Sequence, residues 1–370
     1  MKKMLLVATV QSHIAQFHKP LIAQLHAFGY EVHVAARNNL QEKNGLTLTE
    51  PDQIFSVPFE RSPFSLRNLS AYTQLKKIIR SGGYDVVHCN TPVGGILSRL
   101  ICAPLRKKGL KVVYTAHGFH FYRGAPVKNW LLYYPLELIF SYVTDCLITI
   151  NTEDFAFAQK RLRAKKTVYI PGVGVDTDRF AFEAGVLDRS ALGIPEDAFL
   201  LVSVGELNSN KNHRVVMKAM AGLKNPMIHY AIAGNGPLDT YLKQLVAQLG
   251  LTNRVHFLGY RRDIPQLYKT AQACVLPSIR EGLGLAGIEA MAAGLPVIAA
   301  DNRGTRDFVV PGKNGMLCPS EDDAAFAAAI DKLFRDRNLM EEMSVACVHA
   351  AKQFDVKPVK VKLRSIYDDI

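Results

Sequence analysis

The chain has 370 residues, 48% of them hydrophobic and 21% charged, which is longer than one core usually organises and too apolar for extensive disorder, so two packed domains are expected. Its net charge of +12 sits entirely in residues 1–170, with 22 Lys/Arg against 10 Asp/Glu, whereas residues 171–370 hold 23 of each; no helix-turn-helix, RNA-binding aromatic signature or Cys/His finger accompanies this basic half, so nucleic acid is not the expected partner, and an anionic membrane surface or a pyrophosphate-linked acceptor is. The six cysteines are scattered without a C-x-x-C pair, which excludes a zinc module or a disulfide framework and points to reduced thiols in a cytoplasmic protein, peripheral on the inner face of the cell membrane if the basic half meets lipid.

At the start, Lys2 and Lys3 precede an apolar run that stops at Gln11-Ser12-His13 with no small-residue cleavage site, so it reads as a buried strand rather than a signal peptide. Short β-branched runs then alternate with helical patterns. Strands are expected at 4–9, 31–36, 53–57, 86–88, 111–116, 146–150 and 167–170, and helices at 18–28, 66–80, 95–103 and 153–163. The greasiest stretch, 131–150, is interrupted by Pro135, Glu137 and Asp145, which excludes a spanning helix. Patterning lapses from Pro171 to about Asp197, the expected linker. The alternation then restarts, with strands at 199–204, 229–233, 255–258, 273–276, 296–299 and 315–317. The expected fold is α/β, with two Rossmann-like doubly wound domains facing across a cleft: residues 1–172, then 173–354, with the basic, amphipathic 355–370 segment crossing back onto the first.

Several strand ends carry polar groups suited to chemistry. On the first domain, His117 and His120 follow the strand at 111–116, while His88 and His229 read as satisfied core residues. The segment after them holds the only tryptophan, Trp130, with Tyr133, Tyr134, Arg123 and Lys128. It is either a packed helix or a headgroup-layer contact, and the charge asymmetry favours the contact. On the second domain, Gly205 allows a tight turn before Lys211, Asn212 and His213, and Gly234 and Gly236 flank Asn235 after the next strand. The strand ending at Pro277 leads into Arg280, Glu281 and the glycine-rich Gly282-Leu283-Gly284-Leu285, where a helix carrying Glu289 begins. A glycine-rich turn opening a helix is an anion site, because the first-turn N–H groups lack intrahelical acceptors. Two carboxylates eight positions apart can meanwhile accept from different hydroxyls of one polyhydroxylated ligand.

These segments, above all Glu281 and Glu289 after an apolar strand and followed by Gly294-Leu295-Pro296-Val297-Ile298, resemble the retaining GT-B glycosyltransferases known for an E-x7-E motif, the family 4 or group 1, CapM-like enzymes of capsule and exopolysaccharide assembly. The resemblance runs along essentially the whole chain. It implies that Glu281 meets donor-sugar hydroxyls near the reacting carbon, that Glu289 meets the ribose, and that the backbone of Gly282 to Leu285 meets sugar and diphosphate. It further implies that Lys211 neutralises the leaving diphosphate, that Tyr260 and Arg261 lie on the base side, and that His117 lies close to the transferred sugar. By the same resemblance the substrates are a nucleotide sugar, UDP by default, and a lipid-linked or glycan acceptor, with no cofactor and no metal.

Two departures stand out. Glu206 occupies the place of the arginine usual after Gly205, which shifts phosphate neutralisation to Lys211 with Arg280, Asn212 or His213. Gln11-Ser12-His13-Ile14 occupies the place of a Gly-Gly turn and is expected to be a loop. Asp176-Thr177-Asp178 matches a metal-binding D-x-D pattern but falls in the linker, within the family's own Gly-Val-Asp segment. A GT-B nucleotide-sugar epimerase, a phosphorylase and an inactive nucleotide-sugar-binding subunit are the alternatives; intact Glu281, Glu289, Lys211 and His117 argue against inactivity.

Overall fold

Strands buried on both faces, with helices between them, force parallel pairing, because each return to the sheet must cross over through a helix. A computed structural model describes residues 1–42, 45–60, 62–182 and 185–370; positions 183 and 184 of the expected linker lie outside the described residues. The chain divides into two units, Met1–Val173 with Lys357–Ile370, and Gly174–Val356.

In the first unit the strands are β1 (Lys2–Val10), β2 (Tyr30–Arg37), β3 (Gln53–Ser56), β4 (Val86–Asn90), β5 (Lys111–Ala116), β6 (Cys146–Thr149) and β7 (Lys166–Tyr169). They form one parallel sheet in the order β3-β2-β1-β4-β5-β6-β7. The apolar run at the chain start is therefore a buried interior strand of this sheet, paired with β2 and β4. The final helix, Val356–Asp368, packs Val359, Ile366 and Tyr367 into this unit's core beside Met4, Leu6 and Val86. Tyr367 Oη and His88 Nδ1 lie 2.7 Å apart and His88 Nε2 lies 2.7 Å from Thr115 Oγ1, so His88 is a core histidine with both nitrogens occupied.

The second unit contains β8 (Phe199–Val204), β9 (Ile228–Ala233), β10 (Val255–Gly259), β11 (Ala273–Leu276), β12 (Val297–Ala300) and β13 (Gly315–Cys318), ordered β10-β9-β8-β11-β12-β13 and all parallel. This is the doubly wound order in which the strand sequence reverses beside the first strand, and ligands of such sheets sit at the carboxyl ends there. Val175 bridges Asp355 in parallel, and Thr177 donates to Asp355 Oδ2 through both its N–H and its hydroxyl. The D-x-D segment thus has a structural duty: Asp176 caps the short helix Thr177–Ala181 by accepting from the Arg179 N–H.

One expectation is corrected. Gln11–Phe17 is a helix leading directly off β1, and a second helix, Lys19–Ala27, follows with Pro20 in its first turn. Proline is tolerated there because its missing N–H would have had no helical acceptor.

Candidate active site

The end of β8 and the end of β11 lie side by side and carry the polar groups of the second unit. Ile279 N donates to Asn210 O at 2.8 Å and Asn210 Nδ2 donates to Arg280 O at 3.0 Å, stapling the two loops. Lys211 is held by its own N–H, which donates to Asn208 Oδ1 at 2.9 Å. Across the staple, Lys211 Nζ donates to Glu281 Oε1 at 2.7 Å. Glu206 is exposed and accepts from Asn208 Nδ2 at 3.1 Å.

Close backbone approach explains the glycines. A Cβ on Gly205 would lie 3.2 Å from Lys211 Cε, one on Gly234 would lie 1.9 Å from Gly205 O, and one on Gly236 would lie 2.4 Å from Leu207 O. The β9 turn therefore backs directly onto the loop that carries Lys211. Gly284 adopts φ +92° immediately before the helix Leu285–Ala292, in a conformation that a side chain disfavours. Leu283 beneath it is buried, so the Gly282–Leu285 turn is pinned from the core side while its first helical N–H groups have no acceptor within the helix.

Glu289 lies one turn into that helix and is part-buried. Burial pushes its carboxyl up to about 7, against the pull of Arg179 and Lys211. The folded state then keeps a proton that the unfolded chain has released, so this group's contribution to stability declines as pH rises from its ordinary 4.5 to about 7, then levels. Glu289→Gln removes that slope. Urea unfolding at a series of pH values is expected to show wild type losing stability relative to the variant across that window and no further above it.

The other sequence candidates are placed as follows. Asn212 is buried, takes φ +52°, donates through Nδ2 to Ser320 O at 2.7 Å and accepts from Arg214 Nε at 3.1 Å, so its amide braces the loop. His213 is buried, with Nδ1 2.9 Å from Tyr230 Oη. Arg280 and Tyr260 are exposed, and Arg261 is ion-paired with Asp263. A cavity of about 350 Å³ is lined by Arg179, Arg262, Asp263, Pro265 and Gln266. Arg179 and Arg262 carry no signal in the sequence: Arg179 stands directly after the D-x-D segment on the short helix Thr177–Ala181, and Arg262 is an isolated arginine in a loop.

In the first unit, His117 follows β5 with Nε2 3.0 Å from Asn90 Oδ1 and 3.3 Å from His13 Nε2. Burial holds its imidazole neutral, well below the ordinary pKa. His120 stacks on Tyr133, with ring centroids 4.5 Å apart. Trp130 turns inward: its Nε1 donates to Tyr122 O at 3.2 Å and its ring meets Phe121 and Phe157.

Taken unit by unit, this arrangement offers carboxylates for hydroxyls, an ammonium and helix N–H groups for phosphate, and a neutral imidazole. Two family descriptions match the sequence, Glycosyl transferases group 1 over residues 187–353 and Glycosyl transferase 4-like over residues 3–151. The chain is 43% identical to the putative glycosyltransferase EpsD of Bacillus subtilis, covering 99% of this chain and 96% of that one. It is 30% identical to the UDP-Gal:alpha-D-GlcNAc-diphosphoundecaprenol alpha-1,3-galactosyltransferase of Escherichia coli, covering 87% and 85%. Among solved structures, Anabaena HepE with UDP and glucose superposes with a TM-score of 0.78 at 22% identity over the full length of both chains, and sucrose-phosphate synthase of Thermosynechococcus elongatus with 0.79 at 20% identity over 100% and 99%. These neighbours share the pair of parallel-sheet Rossmann-like domains that defines the GT-B fold. A relative this similar along the whole chain, with both halves matched by family descriptions, establishes that the chain belongs to the group 1, family 4-like glycosyltransferases and is a transferase.

Proposed function

We propose that the chain moves a hexose or N-acetylhexosamine from a nucleotide sugar, with UDP as carrier, to a lipid-linked or glycan acceptor in surface-polysaccharide assembly, with retention at the anomeric carbon and without a metal cofactor. The observation that carries this is the Lys211–Glu281 pair, 2.7 Å apart, on loops stapled together beside the helix that bears Glu289. UDP as carrier draws support from HepE, solved with UDP and with UDP-glucose, and a lipid-linked acceptor from the E. coli relative's name.

In this reading the bond between the anomeric carbon and the β-phosphate oxygen breaks with its electron pair going to phosphate, and the sugar gains oxocarbenium character. Lys211 and the N–H groups opening the Leu285–Ala292 helix stabilise the departing charge. The acceptor hydroxyl enters on the face the phosphate leaves and gives that phosphate its proton, so no protein nucleophile is needed. Glu281 and His117 hold sugar hydroxyls, and Glu289 the ribose. The test is a screen of UDP-, GDP- and ADP-sugars for slow donor hydrolysis and thermal stabilisation, with and without EDTA. Consumption of a UDP-sugar undiminished by EDTA is expected; if no nucleotide sugar is consumed or raises Tm, the reading fails.

We also propose peripheral membrane contact through the first unit. Trp130 is not the contact residue, since it packs inward, but the opposite side of its helix, Val127–Ser141, is apolar and exposed. Val127, Leu131, Pro135 and Ile139 recur every four residues along one stripe, and Tyr142 extends it. A continuous apolar stripe on a unit that carries the chain's excess cations suits the headgroup layer of anionic lipid. Among the described residues, no helix is long and apolar enough to cross a membrane. Leu131→Glu with Ile139→Glu is expected to cut co-sedimentation with phosphatidylglycerol vesicles at least tenfold while leaving Tm unchanged. Undiminished binding would remove the stripe from the interface.

A further inference from the structure

Three histidine nitrogens converge at the carboxyl end of the first unit's sheet. His13 Nε2 lies 3.3 Å from His117 Nε2 and 3.4 Å from His18 Nε2, and all three ligand atoms lie within 4.8 Å of one another. His13 lies on the helix that follows β1, His18 at the junction between that helix and the next, and His117 follows β5. Nitrogens bound to a common tetrahedral zinc at 2.0–2.1 Å stand about 3.3 Å apart, close to the two shorter separations. Asn90 Oδ1, 3.0 Å from His117 Nε2, borders the same space, and its Nδ2 is buried with no hydrogen-bond partner.

Hydrogen bonds alone serve this cluster badly. Each Nε2 is either a donor with one proton or an acceptor with one lone pair. If His13 Nε2 accepts, its single lone pair takes one proton, from His18 or from His117; where His18 supplies it and His117 donates to Asn90 Oδ1, the 3.3 Å contact between His13 and His117 has no hydrogen bond. If His13 Nε2 donates, one proton serves two acceptors, and His117 Nε2 then turns a lone pair towards the Asn90 oxygen. A single cation facing three lone pairs and the amide oxygen resolves every contact at once. Burial holds His13, His18 and His117 neutral at physiological pH, His13 down to about 4, so the lone pairs are available. The neighbouring His88 is no ligand, because Thr115 and Tyr367 occupy both its nitrogens.

We propose that His13, His18 and His117 form a binding site for a divalent first-row transition ion of the zinc class, with Asn90 at the border of the fourth position. Imidazole is the donor such ions prefer. Bound ion takes the Nε2 lone pair that His117 would turn towards a sugar hydroxyl, so zinc inhibits transfer. That consequence rests on the transferase role proposed for His117, whereas the binding itself does not.

The full chain, stripped with EDTA and dialysed, is titrated with ZnCl2 by calorimetry and with CoCl2 by visible absorption, and the zinc complex is examined by X-ray absorption. Expected are one equivalent of zinc, intense cobalt bands of four-coordinate geometry, and a nitrogen and oxygen shell with imidazole scattering. His13→Gln and His18→Gln are each expected to weaken binding at least 100-fold, while His256→Gln, at the separate His229–His256 contact 3.0 Å apart in the second unit, leaves it unchanged. No stoichiometric binding, a sulfur ligand, or wild-type affinity in both variants overturns the site; the absorption spectrum of wild type decides even if a variant misfolds. One equivalent of zinc on histidines without inhibition upholds the site and counts against the role of His117 in transfer.

Discussion

Lys211→Met is expected to lower kcat for donor turnover by about 10²–10³-fold while changing unfolding free energy by no more than about 1 kcal/mol. The stability half follows from partial exposure: the Lys211 and Glu281 side chains are 23% and 14% accessible, so water still reaches the pair and solvates the carboxylate left behind, and methionine keeps the aliphatic stem that packs over Gly205. The activity half follows from where charge builds. A ground-state diphosphate is already anionic, but its oxygen gains further charge as the glycosidic bond breaks, and a fixed ammonium interacts more strongly with that transition state than with the bound donor. The loss should therefore appear in kcat and kcat/KM together. Stopped assays with the preferred UDP-sugar, alongside urea unfolding, separate the two effects. A raised KM with unchanged kcat would make Lys211 a donor-binding residue only.

Most strands, and the strand-turn-helix layout of the Glu281-to-Glu289 segment, were legible because their information is local. Buried parallel strands are short apolar runs, and the Glu281-to-Glu289 segment carries strand, turn and helix start within one contiguous stretch. What was not legible depends on folding. The Gln11–Phe17 helix begins straight off β1 with Val10 in the cap position and no side-chain cap, so no start signal marks it. The contact between His13 and His117 spans 104 positions and exists only because β1 and β5 lie on either side of β4. The apolar stripe on Val127–Ser141 was hidden for another reason: the helix is apolar on its buried face as well, so periodicity showed no outward side. Lys211 was picked out by resemblance alone, since its partner lies 70 positions away.

Glu137→Ala is expected to destabilise the first unit by about 3–5 kcal/mol, the usual cost of stranding one member of a buried ion pair. Arg99 is 1% and Glu137 8% accessible, with Arg99 Nη1 donating to Glu137 Oε2 at 2.8 Å. The guanidinium lies 4.0 Å from the Tyr114 ring centroid, and Tyr114 Oη donates to the other Glu137 oxygen at 3.0 Å. Gly95 leaves room for that ring, since a Cβ there would come within 2.7 Å of it. Removing the carboxylate leaves a buried cation and an unpaired phenol, so the single variant should cost more than a matched apolar exchange. Arg99→Met combined with Glu137→Leu is accordingly expected to recover most of the loss, and the double-mutant cycle should report strong coupling. Trp130 makes the measurement specific, because the chain's single tryptophan lies on the same helix as Glu137 and its fluorescence follows this unit. The cluster also ties function to fold. Tyr114 stands three residues before His117 on the strand that positions it, and Glu137 anchors the helix whose outer stripe is proposed to meet lipid. Loss of the pair should therefore lower both the unfolding midpoint read by Trp130 and the temperature at which transfer fails, leaving KM for the donor unchanged below that temperature.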